Sequence, residues 1–274
     1  MLCLALLAVA CFLTGCTSAP SDDRVAEPHG SGAARASLTT AEYSWRTYAG
    51  QSLHLHYLPD SYAAQHIREF ARDAEKGLHH DLALIGASRP PGVVEVFLVD
   101  SREQARQLTG NPYMGQAVPG ELSVFLVILP GLRPAVRHEI MHALSLSLWG
   151  THRTGTWISD GVATWATGMC QGKSVDAIAA GFLRQGRLLP LPELAATFWE
   201  VDELRAYFTA GSAIGYLAQT RGNAAVEALW RQSPDGVEHP LGEGGAEIER
   251  RWRAHLASIP AAELDMVTLR ESGC

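Results

Sequence analysis

Residues 134–150 read Pro-Ala-Val-Arg-His-Glu-Ile-Met-His-Ala-Leu-Ser-Leu-Ser-Leu-Trp-Gly, and their spacing predicts one helix. Pro134 suits a first turn, where its missing N–H would have no partner, and Gly150 marks the end. Ala135, Val136, Ile140, Met141, Ala143 and Leu144 supply apolar surface to bury. His138 and His142 stand four residues apart, so both imidazoles point to one side and can bind one ion. Glu139 projects close to the same place without occupying it, and there it can take a proton from water activated by the ion. The bland alternative is a pair of ordinary core or surface histidines. The position of the pattern, on a helix directly after a strand, weighs against it.

Upstream the pattern is that of a sheet. Leu53-His54-Leu55-His56-Tyr57 alternates apolar and polar side chains, the mark of a half-buried strand, with His54 and His56 on one face and expected to be exposed. Pro59-Asp60-Ser61 opens a helix to about Leu84. His79 and His80 within it point to different faces and read as surface residues. Gly92 to Asp100 is β-branched and reads as a central strand, Ser101 to Leu108 as a short helix capped by Ser101, and Leu122 to Leu129 as a strand stopped by Pro130-Gly131. From Pro134 onward the pattern is mostly helical. The expected architecture is α+β, with a small mixed N-terminal sheet, the 134–150 helix and a mainly helical C-terminal part. No internal repeat is visible.

Two histidines leave a zinc site incomplete. The best third ligand is Asp160, in Trp157-Ile158-Ser159-Asp160-Gly161-Val162-Ala163. Together with His138-Glu139-Ile140-Met141-His142, this segment resembles the gluzincin side of the zincin metallopeptidases, especially the peptidase MA-like families. Their second motif reads Trp-x-x-Glu-Gly-x-Ala on the next helix, and the seventeen residues between His142 and Asp160 match their separation. The resemblance covers roughly residues 50–256 and is strongest over 138–165. It implies a zincin-like fold and a zinc-dependent peptidase acting on a peptide or protein. One Zn²⁺ would be held by His138, His142 and Asp160, with Glu139 as general base. The chain departs from the pattern in having Asp160 where the family has Glu. Aspartate is shorter by about 1.5 Å, so its helix must approach the ion more closely.

Asp160 could instead cap a helix ahead of Gly161. His152 is the rival ligand, in a polar Gly-Thr-rich loop where it is expected to face solvent. Thr164 could hydrogen-bond a ligating imidazole, while Trp157 and Trp165 read as core packing. Ala206 to Ser212 resembles the Tyr-containing helix that follows the second motif in these families. The Tyr207 phenol could donate to an oxyanion there, or make a structural hydrogen bond. Leu189-Pro190-Leu191-Pro192-Glu193-Leu194 resembles the family's connector between these helices. The strand at 122–129 is the candidate edge for an extended peptide, as in zincin sheets.

The N-terminus divides the chain into residues 1–15, 16–40 and 41–274. Residues 1–13 form an uncharged apolar run, shorter than the ~20 residues that span a bilayer and suited to a secretory signal. Leu13-Thr14-Gly15-Cys16 resembles the lipobox of bacterial lipoproteins, which implies cleavage before Cys16 and lipidation of it. The alternatives are a plain signal peptide or a buried N-terminal helix. Residues 16–40 are rich in Ser, Ala, Gly, Pro and Asp and read as a flexible tether; residues 41–274 form the zincin-like domain. The expected location is extracytoplasmic, lipid-anchored to a bacterial membrane. In a Gram-negative cell it is the outer membrane, since Thr17 is not the Asp that retains lipoproteins at the inner one.

With Cys16 acylated, Cys170 and Cys274 remain. They form a bridge, or else Cys170 is a small buried residue and Cys274 lies on a frayed end. The 274 residues carry a net charge of −7, with 22 Lys+Arg against 29 Asp+Glu, which argues against non-specific nucleic-acid binding. Arginine outnumbers lysine 20 to 2 without clustering. A hydrophobic fraction of 47% excludes wholesale disorder. A monomer is expected. The rival to an enzyme is a non-catalytic, lipid-anchored binding or assembly protein with a zincin fold. More remote is a structural lipoprotein whose histidines bind nothing.

Overall fold

The computed structural model describes residues 36–37, 42–132, 135–153, 155–232 and 238–271. The signal segment, Cys16, most of the tether, Pro134 and Cys274 lie outside these residues. Strands β1 (Arg46–Ala49), β2 (Leu53–Tyr57), β3 (Val94–Val99), β4 (Gly115–Ala117) and β5 (Ser123–Val127) form one mixed sheet in the order β1-β2-β3-β5-β4. β2, β3 and β5 run parallel, and the outer strands are antiparallel to their neighbours. Every residue of β3 and β5 is buried, as expected of parallel strands covered on both faces. β5 is therefore interior, which corrects the expectation that 122–129 offers an edge. The edge on that side belongs to β4, whose three residues are too few to show a periodic pattern.

One face of the sheet, carrying Leu55, Val96, Leu98 and Leu126, packs against two helices. These are α1 (Tyr62–Ile85) and α3 (Val136–Trp149). α1 starts where Ser61 Oγ accepts from Ala64 N at 3.0 Å. The shorter α2 (Arg102–Thr109) starts likewise on Ser101, whose Oγ accepts from Gln104 N at 3.1 Å. α2 covers the other face, where Phe97 and Phe125 stack at 4.5 Å.

His54 and His56 share that second face, as their alternation requires, but they are not exposed: 9% and 2% of their surface is accessible. The reason is Glu95 on the neighbouring strand. Its Oε2 lies 2.6 Å from His56 Nε2 and 3.5 Å from His54 Nδ1, while Thr47 Oγ1 meets His56 Nδ1 at 3.0 Å. A carboxylate paired across the strands lets two imidazoles enter the interior.

The C-terminal helices close on a second core. They are α4 (Thr156–Thr167), α5 (Val175–Arg184), α6 (Leu191–Thr197), α7 (Glu203–Arg221), α8 (Asn223–Arg231), α9 (Gly245–Ser258) and α10 (Met266–Glu271). Trp157, Phe182, Trp230 and Trp252 are buried at its centre, and Trp165 packs partly buried against it. α4 and α7 cross at close range. A β-carbon on Gly211 would lie 2.7 Å from Thr164 Cγ2 and 3.1 Å from Trp165 N, so only glycine fits there. A two-stranded hairpin, β6 (Met169–Cys170) and β7 (Lys173–Ser174), joins α4 to α5. Cys170 is buried and disulfide-bonded. Among the described residues no helix is long and apolar enough to cross a membrane.

Burial alone would raise the Glu95 carboxyl, but hydrogen bonds from His54 and His56 outweigh it and bring the pKa down from 4.5 to about 2. A depressed carboxylate stabilises the fold above its unfolded pKa and loses that contribution as pH falls through the folded one. Glu95→Gln is therefore expected to lower stability by about 1–3 kcal/mol at pH 7. It should also flatten the loss of melting temperature between pH 4.5 and about 2. Thermal melts across that range check both, and parallel acid limbs in the two proteins would contradict the assignment.

Candidate metal centre

α3 presents His138 and His142 from successive turns, and the rings meet at 4.7 Å. α4 lies across them and brings Asp160 in from its second turn. Asp160 is thus not a helix cap; Gly155 holds that position. His142 Nε2 stands 3.1 Å from His138 Nε2, and Asp160 Oδ1 stands 3.5 and 3.7 Å from the two nitrogens. Four ligands about 2.0–2.1 Å from a tetrahedral zinc are about 3.3 Å apart. The triangle therefore has the size that one small cation requires. His138, His142 and Asp160 form a group that could hold a metal ion, and among the described residues it is the only such cluster of three.

The surroundings set the charges. Burial would raise the Asp160 carboxyl, but the two imidazoles outweigh it and hold it well below the usual carboxylate range. Burial would lower the His142 imidazole, but Asp160 and Glu139 raise it overall. The Glu139 carboxyl is pushed up by burial and by Asp160, against the pull of both histidines and of the Ala117 backbone N–H. That N–H belongs to β4, so Glu139 sits on the free edge of the sheet. A β-carbon on Gly115, also in β4, would lie 2.8 Å from Glu139 Cδ and Cγ. The base candidate therefore needs glycine opposite it.

His142 Nδ1 meets Ser159 Oγ at 3.0 Å, which holds the ring; with a metal on Nε2, Nδ1–H would be the donor. Ser159 was not among the expected site residues. Its place directly before Asp160 was the available signal, but no pattern separates a serine that supports a ligand from one that merely sits in a helix. Thr164, expected to serve the imidazole, instead has a buried hydroxyl with no hydrogen-bond partner and turns its methyl toward Gly211. Arg137 was also missed. It donates to the carbonyls of Ala166 and Thr167 at the end of α4, tying the helix of the histidines to the helix of Asp160. Its Nε lies 3.7 Å from Asp81 on α1, too far for a hydrogen bond. Burial raises the Asp81 carboxyl to about 8 against the pull of the guanidinium.

Tyr207, on α7, lays its ring almost flat on His138, 5.7 Å between centroids and 23° between planes. Burial raises its phenol well above 10, and the Asp160, Glu203 and Glu139 carboxylates add to that, so the hydroxyl stays protonated and can donate. His152 is not turned to solvent as expected. It is half-buried against Trp230 at 5.3 Å, with Nδ1 buried and unpartnered, and lies outside the ligand group. His79 and His80 are exposed, as expected. The chain matches no known protein-family model and no curated protein sequence.

Asp160→Ala is expected to abolish tight metal binding, and Ser159→Ala to weaken it about 10-fold by freeing the His142 ring. Calorimetric titration of the metal-free variants checks both. Unchanged affinity in Ser159→Ala would mean that the hydroxyl does not orient the ligand.

Proposed function

We propose that the protein is a zinc-dependent metallopeptidase of the zincin kind, anchored outside the cytoplasm by a lipid on Cys16. The observation that carries this reading is the conjunction of a zinc-sized ligand triangle with a buried carboxylate, Glu139, seated between it and a free strand edge. Two imidazoles and a carboxylate form a donor set that suits zinc. When bound, zinc would supply a Lewis acid that lowers the pKa of a water toward neutrality and polarises a carbonyl.

The chain's own groups account for the rest of a hydrolysis. β4 offers outward backbone groups to an extended peptide, which would lie beside Glu139. Glu139, its carboxyl pushed up by burial, takes the proton from the attacking water and passes it to the leaving amine. Tyr207, protonated and held against His138, donates to the developing oxyanion. Ser159 and Arg137 keep the ligands and their two helices in register.

Purified protein is expected to carry one zinc per chain by elemental analysis. Glu139→Gln should keep the zinc and lose at least about 100-fold in cleavage of a peptide library. Full activity in Glu139→Gln would sink the mechanism. A zinc-loaded wild type that cleaves nothing would favour a non-catalytic, lipid-anchored binding or assembly protein. Cys16→Ser should move the protein from the membrane fraction to the soluble one, and unchanged membrane partition would remove the lipid anchor.

A further inference from the structure

The stack that begins on His138 does not end at Tyr207. The Tyr207 ring also stacks on Phe198, 5.7 Å between centroids and 18° between planes, and Phe198 in turn meets Trp199 edge-on at 5.2 Å. Phe198 is 5% exposed and belongs to the core, whereas Trp199 is 70% exposed, the most open of the large hydrophobic side chains described. A single exposed aromatic is ordinary by itself. Two features set this one apart. It stands at the outer end of a continuous ladder of rings that starts on a candidate metal ligand. It is also held in place: Glu200 N donates to Thr197 O at 2.8 Å, and the Asp202 carboxylate caps α7 by accepting from Arg205 N at 3.1 Å. The Asp202 carboxylate also pairs with Arg270 on α10. The short segment between α6 and α7 is thereby pinned at both ends, so the backbone that carries the indole is already ordered before binding.

We propose that Trp199 is a specificity-determining residue, an indole platform that receives a large apolar or aromatic side chain of the substrate. This rests on the peptidase reading. The three steps of the ladder put the indole no more than about 17 Å from the His138 ring, which an extended peptide covers in about five residues. The side chain that docks there therefore lies within about five positions of the scissile bond. A flat, exposed indole on a pinned backbone gains most from large apolar partners, by stacking and by removing both surfaces from water.

The test compares wild type with Trp199→Ala and Trp199→Phe on a mixed decapeptide library, with cut sites and flanking residues read by mass spectrometry. Wild type is expected to prefer Phe, Tyr, Trp, Leu or Met at one position within five residues of the cut. Trp199→Ala should lose that preference by about 10-fold in kcat/KM, mainly through KM, and Trp199→Phe should recover part of it. Cleavage of peptides with Ala at that position should change little, and melting temperature and zinc content should stay as in wild type, since the side chain is exposed. An unchanged preference in Trp199→Ala, or a wild-type preference for Lys or Arg there, would overturn the proposal while leaving the peptidase reading intact. So would a variant whose cleavage is normal but whose sedimentation with phosphatidylglycerol–phosphatidylethanolamine vesicles is lost, which would make Trp199 a membrane contact. A zinc-loaded wild type that cleaves no member of the library would overturn the peptidase reading and this inference with it.

Discussion

Three atoms bearing lone pairs, two imidazole nitrogens and a carboxylate oxygen, converge within 3.1–3.7 Å of one another where little water reaches. Such convergence is favourable only around shared positive charge, a proton or a metal ion. The fold has to hold the three together against their mutual repulsion, and its main contacts serve that end. The sheet and α1 support α3 from behind through Ile140, Ala143 and Leu144. Arg137 then fastens α4 to α3, and Ser159 stops the His142 ring from turning away. None of these contacts is large, but the triangle they hold tolerates little slack, since ligand distances beyond a few tenths of an ångström lose the ion.

The same constraint reaches the last strand of the sheet. β4 has to let the Glu139 carboxylate lie against its outer edge. Gly115 provides the space and the Ala117 N–H steadies the charge. A side chain in place of Gly115 would push Glu139 away from His138, His142 and Asp160. A buried carboxylate with one backbone donor and two nearby imidazoles keeps polar partners even though burial pushes its pKa up.

Much of this was legible in the residues themselves. The 53–57, 92–100 and 122–129 runs and the Ser61, Ser101 and Gly150 boundaries fall within about two residues of the observed elements, because strong apolar periodicity and capping chemistry are local signals. His138, Glu139, His142 and Asp160 could be brought together because helical spacing dictates one face and the second motif lies on the next helix. What escaped depends on partners distant in sequence. His54 and His56 look solvent-facing until Glu95 is placed beside them on the next strand. The edge strand at 115–117 has no periodicity to read, and His152 is half-buried only because Trp230, far along the chain, packs on it. Ser159 and Thr164 could exchange roles on paper; the direction of α4 relative to α3 decides between them.

The glycine-mediated crossing of α4 and α7 has a mechanical consequence. Asp160 rides on one of these helices and Tyr207 on the other, and at Gly211 the two backbones are too close to slide independently. His138, Glu139 and His142 ride on α3, braced by the sheet. The candidate centre is thus built like a vice with two jaws, Asp160 and the Tyr207 phenol on one, His138, Glu139 and His142 on the other. Displacement of either jaw changes the distance from Asp160 to the two imidazoles and the position of the phenol along a single coordinate, so a small strain at the helix crossing would be felt at both at once.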